Sequence, residues 1–199
     1  MISDKTRDAI ALDALRDGDR AEFARLMEQY SPMIYRLGLK MLNNPQDAED
    51  ILQETFIKAY KHIHNFDGRS SVSTWLYRIA TNEALMALRK KRPDTVSFDM
   101  PSAYDTEPQE PLQIVDWCCL PEEEYLTAEG RLRLDQAAER LPESLRIVFV
   151  LRDIEGLSTR ETADVLQISE MAVKTRLSRA RLRLREDLSS YYGTLVEKG

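Results

Sequence analysis

The stretch from Leu157 to Arg185 limits the fold of this chain more than any other, because its end signals mark two closely linked helices. Ser158 suits a helix N-cap, and Glu161 stands three residues later, where it completes a capping box. Ser169 can cap a second helix, which begins a long periodic run. Two helices joined by a turn of three or four residues form a helix-turn-helix, and the stretch predicts one.

The second of these helices is predicted to be apolar on one side and basic on the rest. Its apolar residues recur at steps of four, three, four and four: Val173, Leu177, Ala180, Leu184 and Leu188. Between Ala172 and Arg185 there are six basic residues and no acidic one. Such a helix, entered through a tight turn, fits the major groove of DNA with flanking phosphate contacts. A solvated basic surface is the alternative, and the capped helix in front favours nucleic-acid binding.

The overall charge is a poor guide to the partner of this chain. A net charge of -6 and a pI near 5.1 argue against a protein that simply coats nucleic acid. The charge is segregated, however, with ten acidic residues and no basic one between Pro93 and Gly130. Basic residues concentrate in the last predicted helix and in the run from Arg89 to Arg92. An acidic total is therefore compatible with a DNA-binding element.

The sequence predicts a cytoplasmic protein. No apolar run approaches the roughly 18 residues that a membrane-spanning helix needs, and the N-terminus lacks the pattern of a signal peptide. Cys118 and Cys119 are adjacent, which disfavours a structural disulfide and agrees with a reducing compartment. With His62 and His64 they match no usual zinc spacing, so no metal site is predicted. No nucleophile-base set or phosphate loop is present, and neither an enzymatic activity nor a cofactor is predicted.

The N-terminal part of the chain carries a helix with an acidic row. Asn44 suits an N-cap, with Pro45 at the first helical position, and the periodic pattern predicts a helix from Pro45 to His62. One of its sides carries three carboxylates and an isoleucine: Asp47, Asp50, Glu54 and Ile57. This row is either an ordinary solvated face or a docking surface for a basic partner helix.

A loop and a second basic segment follow. Residues 65–71 are rich in Asn, Asp, Gly and Ser, which predicts a loop, and Ser71 or Ser73 can cap the helix behind it. That helix ends in four consecutive basic residues, Arg89 to Arg92. Basic residues complement a helix C-terminus, but each such contact contributes only about 0.3 to 1 kcal/mol, so four exceed that need. Trp75 falls at core spacing with Ile79, and we expect it to be a core residue.

The sequence predicts an all-α chain of two small helical domains joined by an acidic flexible linker. Residues 94–121 combine four prolines with scattered polar and acidic residues, no helical period and no basic residue. Fully extended, this segment reaches roughly 95 Å at about 3.3 to 3.6 Å per residue. The predicted domains are residues 1–93 and residues 122–199, and the second ends in the helix-turn-helix.

Three segments, in this order, resemble the extracytoplasmic function sigma factors of bacterial RNA polymerase. The segment NNPQDAEDILQETFIKAYKHI is similar to the part of their second region that binds the clamp helices of the largest polymerase subunit. FDGRSSVSTWLYRIATNEALMALRKKR is similar to their promoter-melting and minus-10 segment. LPESLRIVFVLRDIEGLSTRETADVLQISEMAVKTRLSRARLRLRE is similar to their fourth region, which reads the minus-35 element.

The resemblance implies a role for each of these surfaces. It implies that core polymerase binds Asp47, Asp50, Gln53, Glu54 and Ile57. It implies that minus-10 DNA binds a loop that captures a flipped base and a helix that carries phosphate partners: Asn65, Phe66, Asp67, Gly68, Arg69, Ser70, Arg78, Arg89, Lys90 and Lys91. It implies that minus-35 DNA binds the second helix of the helix-turn-helix: Ser169, Met171, Ala172, Lys174, Thr175, Arg176, Ser178 and Arg179. An acidic linker that threads the RNA-exit path is implied as well, and an ordinary disordered linker is the alternative.

The function implied is promoter-specific initiation by core RNA polymerase, with promoter DNA and an anti-sigma factor as further partners and no membrane insertion. The alternative is a free-standing helix-turn-helix regulator that binds duplex DNA without polymerase. The chain departs from the family pattern at Gln167, where a glycine is common, which predicts a strained or differently shaped turn. Glu170, Met171 and Ala172 replace a small or hydroxylated sequence, and they face the predicted groove.

Overall fold

The computed structural model describes residues 10–91 and 128–196, and it is helical in both parts. The helices are α1 (Leu12–Arg16), α2 (Arg20–Leu42), α3 (Pro45–His62), α4 (Val72–Lys91), α5 (Ala128–Arg140), α6 (Glu143–Phe149), α7 (Thr159–Leu166) and α8 (Glu170–Val196). A 3-10 turn follows α3, and a π-helical turn, Val150–Ile154, continues α6. The predicted linker, with Cys118 and Cys119, lies outside the described residues.

The described part of the N-terminal domain, residues 10–91, is formed mainly by α2, α3 and α4, which pack on one another. The predicted helix from Pro45 to His62 is confirmed, and the Asn44 side chain accepts a hydrogen bond from the backbone N–H of Asp47 at 3.1 Å. The α2 and α3 helices cross closely at Gly38, where an added Cβ would lie 3.1 Å from the Cα of Ala48. This spacing lets the two helices bury a shared core.

In the described part of the C-terminal domain, residues 128–196, α8 packs against α5, α6 and α7. The apolar stripe predicted for the last helix is confirmed. All five of its members are buried: Val173, Leu177, Ala180, Leu184 and Leu188. Because these positions span four turns, α8 packs on the rest of the domain from Val173 to Leu188 and presents its other faces outward.

The two domains lie in direct contact in this structure. One hydrophobic cluster contains buried residues of both, among them Leu37 and Leu76 of the first and Leu151 and Val165 of the second. The α4 helix packs on α7, which is the first helix of the helix-turn-helix. The structure confirms the prediction of two helical domains. The packing of one domain on the other was not predicted from the sequence.

Polar contacts also cross the interface between the domains. The carboxylate of Glu155 accepts two hydrogen bonds from the Arg36 guanidinium, both at 2.6 Å, and one from the Tyr77 hydroxyl at 2.7 Å. Burial first, and the nearby charge of Glu155 second, raise the pKa of Tyr77 above its ordinary value. Only the neutral phenol is compatible with this contact.

We predict that Tyr77 does not ionise with the exposed tyrosines during an alkaline titration. Its pKa is higher in the folded chain than in the unfolded chain, so its contribution to stability is complete below about pH 10 and is lost as the pH rises further. Absorbance at the phenolate band measures this directly. The Tyr77→Phe variant should show the same absorbance step near pH 10 as the parent chain, and a smaller step would contradict the prediction.

Candidate nucleic-acid and polymerase interfaces

The helix-turn-helix is formed by α7, α8 and the three residues between them. The capping box at the start of α7 is confirmed, because Ser158 accepts from the backbone N–H of Glu161 at 3.1 Å and the Glu161 carboxylate accepts from the backbone N–H of Ser158 at 2.7 Å. Ser169 caps α8 by accepting from the backbone N–H of Ala172 at 3.1 Å. Both helix starts are therefore fixed by local hydrogen bonds.

Gln167 forms the turn between the two helices in the left-handed region. Its backbone φ is 56° and ψ is 42°, a conformation that glycine adopts without cost and other residues adopt with strain. Its side-chain amide donates to the carbonyl of Asp164 at 2.6 Å. Gln167 therefore occupies the left-handed C-cap position at which a glycine is common in the family. The turn keeps the geometry of a glycine C-cap, and the glutamine backbone is strained there.

We predict that Gln167→Gly stabilises the chain. A non-glycine residue in the left-handed region costs about 1 to 2 kcal/mol, and glycine removes this cost. Glycine also makes the unfolded chain more flexible, which lowers stability by about 0.4 to 1 kcal/mol. The expected net gain in unfolding free energy is therefore about 0.5 to 1 kcal/mol. The midpoint of urea unfolding measures it. Asn43→Gly is the matched control: Asn43 also has a positive φ, of 49°, but asparagine tolerates it better. A lower midpoint for Gln167→Gly would contradict the prediction.

The predicted minus-35 residues lie on the outward faces of α8. Met171 is 71% exposed, and Ser169, Lys174, Thr175 and Ser178 are exposed as well. Ala172, Arg176 and Arg179 are half-buried beside them. The described part of α8 therefore carries one exposed polar and basic surface opposite its buried stripe.

One basic residue of α8 has a structural role instead. Arg181 donates two hydrogen bonds to Asp153, at 2.9 and 2.7 Å, and so fastens α8 to the π-helical turn. In the sequence, Arg181 is one of six basic residues of this helix, and nothing separates it from those expected to contact DNA. Its partner lies 28 residues away, and no local pattern marks that pairing.

The predicted minus-10 loop is anchored at its base. Arg16 donates from Nε and Nη2 to the carbonyl of Phe66, at 2.9 and 2.7 Å. Asp67 accepts from the backbone N–H of Arg69 at 3.0 Å and also pairs with the Arg69 side chain, and these bonds lower the pKa of Asp67. Gly68 takes a positive φ of 74°. The loop is therefore a defined turn that exposes Asn65, Asp67, Gly68 and Arg69 and leaves Ser70 half-buried.

Phe66, which the resemblance assigned to the minus-10 contact, has a buried side chain. Its side chain is 5% exposed, and its ring centroid lies 5.2 Å from that of Trp75. Trp75 itself packs against the core, as its spacing predicted. Phe66 is hence a support for the loop, because an aromatic ring in this position fills the space under the turn and does not face outward.

The basic end of α4 lies beside the acidic start of α3. Lys91 pairs with Asp47, which joins a predicted DNA contact to a predicted polymerase contact. Arg89 and Lys90 are exposed. Arg78 is half-buried, and its Nε is buried without a hydrogen-bond partner among the described residues. The cluster at the C-terminus of α4 is consequently more accessible to a phosphate than Arg78 is.

The remaining predicted polymerase contacts lie on one exposed face of α3. Asp50, Gln53 and Glu54 are exposed, and Ile57 is 45% exposed. Asp47 stands at the head of the row and is half-buried by its pairing with Lys91. An exposed isoleucine next to carboxylates is suited to a partner that is apolar at its centre and basic at its edge.

Within residues 10–91 and 128–196, no group of His, Cys, Asp and Glu side chains is arranged to hold a metal ion. Among these same residues, no helix is both long and apolar enough to cross a membrane.

Comparison with known proteins identifies both domains. The family model described as Sigma-70 region 2 matches residues 26–93, and the model described as Sigma-70, region 4 matches residues 131–184. The chain is 40% identical to the ECF RNA polymerase sigma factor SigW of Bacillus subtilis over 87% of its own length and 92% of that protein. It is 32% identical to the ECF RNA polymerase sigma-E factor of Escherichia coli, over 90% of its length and 93% of that protein.

Solved structures share the fold. CnrH in complex with the cytosolic domain of CnrY is 22% identical with a TM-score of 0.64, covering 90% of this chain and 95% of that one. RpoE of Bartonella quintana, in complex with the anti-sigma factor NepR, is 21% identical with a TM-score of 0.60, covering 84% and 97%. The fold is that of two-domain, helical sigma factors. The chain belongs to the extracytoplasmic function (ECF) sigma factors of bacterial RNA polymerase.

Proposed function

We propose that this sigma factor divides its work between residues 1–93, which bind core polymerase and melt the minus-10 region, and residues 122–199, which read the minus-35 element. Residues 94–121 join them as a linker. The observation that carries the proposal is the surface of α8, which is buried along one stripe and exposes polar and basic side chains behind a capped turn. A helix presented in this way fits the major groove.

In the proposed division, the exposed row of α3 binds the polymerase clamp helices, and the loop at 65–70 with the end of α4 holds the melted nontemplate strand. Phe66 supports that loop from beneath. A base extruded from the duplex costs a few kcal/mol, which contacts in a pocket offset. Exposed cations at Lys90 and Lys91 would follow the strand backbone, where contacts are electrostatic and depend on salt.

The chain acts in this proposal as a binding subunit and not as an enzyme, and it works in the cytoplasm because RNA polymerase does. An anti-sigma factor is a further proposed partner. Two proteins of the same fold, CnrH and the Bartonella RpoE, are described as complexes with CnrY and with the anti-sigma factor NepR. A partner of this class would prevent initiation by covering the α3 row or the α8 surface.

The experiment that tests the proposed function is run-off transcription with purified core polymerase. Templates are taken from genomic fragments that the reconstituted holoenzyme retains, and core polymerase without the sigma factor is the control. We expect promoter-dependent transcripts only when the chain is present. A chain that binds duplex DNA specifically on its own, and yields no promoter-dependent transcript on any retained fragment, would overturn the proposal.

A further inference from the structure

Arg16, the last residue of α1, holds the minus-10 loop, residues 65–70, by its backbone. Its guanidinium donates from Nε and Nη2 to one oxygen, the carbonyl of Phe66, at 2.9 and 2.7 Å. The third nitrogen, Nη1, donates to Asp13 at 3.2 Å. A Cβ added to Gly68 would lie 3.6 Å from Nη2, so the guanidinium also lies against the loop at this glycine. All three nitrogens therefore have a partner, and two of them act on the loop.

The α1 helix that carries Arg16 is itself fixed to the domain. A helix of five residues is not stable alone in water, so its position depends on its contacts. Leu15 is 1% exposed in the hydrophobic core. Glu22 of α2 is buried, and its carboxylate accepts from the backbone N–H of Ala11 at 2.7 Å and from Arg25 at 2.9 Å. Arg16 is thus presented to the loop from a rigid support.

The other contacts of the loop leave the Phe66 carbonyl to Arg16. The hydroxyl of Ser71 accepts from the backbone N–H of Thr74 at 3.0 Å, which fixes the end of the loop at the start of α4. The Phe66 ring packs on Trp75, which fixes the side chain of Phe66. Within residues 10–91, the Phe66 carbonyl accepts hydrogen bonds only from Arg16.

The direction of this carbonyl matters because the exposed part of the loop begins there. The carbonyl of Phe66 and the N–H of Asp67 lie in one peptide plane, so a fixed carbonyl fixes how the chain enters residues 67–69. Asp67 then accepts from the backbone N–H of Arg69 at 3.0 Å, which closes the turn. A loop that has one shape before DNA arrives loses less conformational freedom when it binds.

We propose that Arg16 is a positioning residue for base capture at the minus-10 element, because it holds the Phe66 carbonyl and thereby the shape of the loop that receives the base. The inference rests on the proposed function, in which this loop captures a base of the nontemplate strand. A direct phosphate contact is the other use of a cation near DNA. The geometry favours positioning, since the guanidinium is engaged by Phe66 and Asp13 and the side chain is only 33% exposed.

The test measures how reconstituted holoenzyme binds a fluorescent oligonucleotide that carries the nontemplate minus-10 sequence of a retained promoter. Each minus-10 base is replaced in turn by an abasic site. In the parent, we expect one position at which the abasic site weakens binding by about tenfold or more. Arg16→Ala should weaken binding of the intact oligonucleotide by about tenfold, because a charge-assisted hydrogen bond that orders the loop is lost. The abasic site at that position should then have an effect of only about threefold or less.

Arg20→Ala is the matched control. Arg20 is an exposed cation at the start of α2, four residues from Arg16, so the variant makes the same change of charge without touching the loop. It should bind the intact and the abasic oligonucleotides like the parent. Arg16→Lys is measured as well, because it keeps the charge and most of the stem and guards against misfolding of the alanine variant. A single ammonium cannot reproduce the two-nitrogen contact, and we expect a smaller loss in the same direction.

Salt dependence separates positioning from a phosphate contact. A positioning residue leaves the slope of log affinity against log salt unchanged, whereas loss of one phosphate contact lowers it by about 0.7 on a single strand. A lower slope for Arg16→Ala, with the parent's full abasic effect, would overturn the inference and leave the proposed function intact. Binding of Arg16→Ala that matches Arg20→Ala on every oligonucleotide would overturn it too. If the parent itself shows no abasic-sensitive position, the loop captures no base, and the proposed role of the loop fails together with the inference.

Discussion

Replacing Ile57 with glutamate is expected to weaken binding to core polymerase by about 2 kcal/mol, roughly thirtyfold, without unfolding the chain. The side chain is 45% exposed on the α3 face that also carries Asp50 and Glu54. If that face docks, Ile57 supplies the apolar centre of the contact, and a carboxylate there must be desolvated without a partner. Titration of labelled core polymerase with the chain measures the dissociation constant.

Leu132→Glu is the matched control for this experiment. Leu132 is 56% exposed on α5, in the other domain, so the substitution places the same charge at an apolar position that is somewhat more exposed than Ile57. We expect parent-like polymerase binding from Leu132→Glu and parent-like thermal unfolding from both variants. Equal binding by Ile57→Glu and the parent chain would show that the acidic row of α3 is a solvated face, the alternative that the sequence left open.

Features that depend on neighbouring residues could be predicted from the sequence. The bounds of α3, the capping box at Ser158 and the buried stripe of α8 each follow from spacing of a few residues, and the structure confirms them. The unusual turn at Gln167 was predicted from the family resemblance, because a glycine is common at that position, and the structure gives Gln167 a left-handed backbone. Such features are fixed by hydrogen bonds and periodicity within a single element.

Features that depend on distant residues could not be predicted. Glu155 accepts hydrogen bonds from Arg36 and Tyr77, which lie 119 and 78 residues away in the sequence. The local composition around these three residues does not predict the contacts. The burial of Phe66 could not be predicted for a related reason: loop composition indicates an exposed segment, but the ring packs against Trp75 in the next helix. Composition predicts that a segment is a loop, and tertiary packing decides which of its side chains turn inward.

The two kinds of DNA contact expected on α8 can be separated by comparing Arg179→Ala with Lys174→Ala. Lys174 is exposed and flanks the outward face, whereas Arg179 is half-buried and nearer its centre. If Arg179 reaches a base edge, its loss costs about 1 to 3 kcal/mol and relaxes sequence preference at one position. If Lys174 meets a phosphate, its loss weakens binding equally on all sequences and lowers the slope of log affinity against log salt by about 1.

Binding of reconstituted holoenzyme to a selected promoter duplex, at several salt concentrations and with a minus-35 variant series, distinguishes these outcomes. Lys61→Ala removes an exposed cation from α3 in the other domain and is the control for a general change of charge. An Arg179→Ala holoenzyme that keeps full affinity and the parent sequence preference at every salt concentration would place Arg179 outside the groove. The sequence preference would then have to come from the other predicted minus-35 residues, among which Met171, Thr175 and Ser178 are exposed.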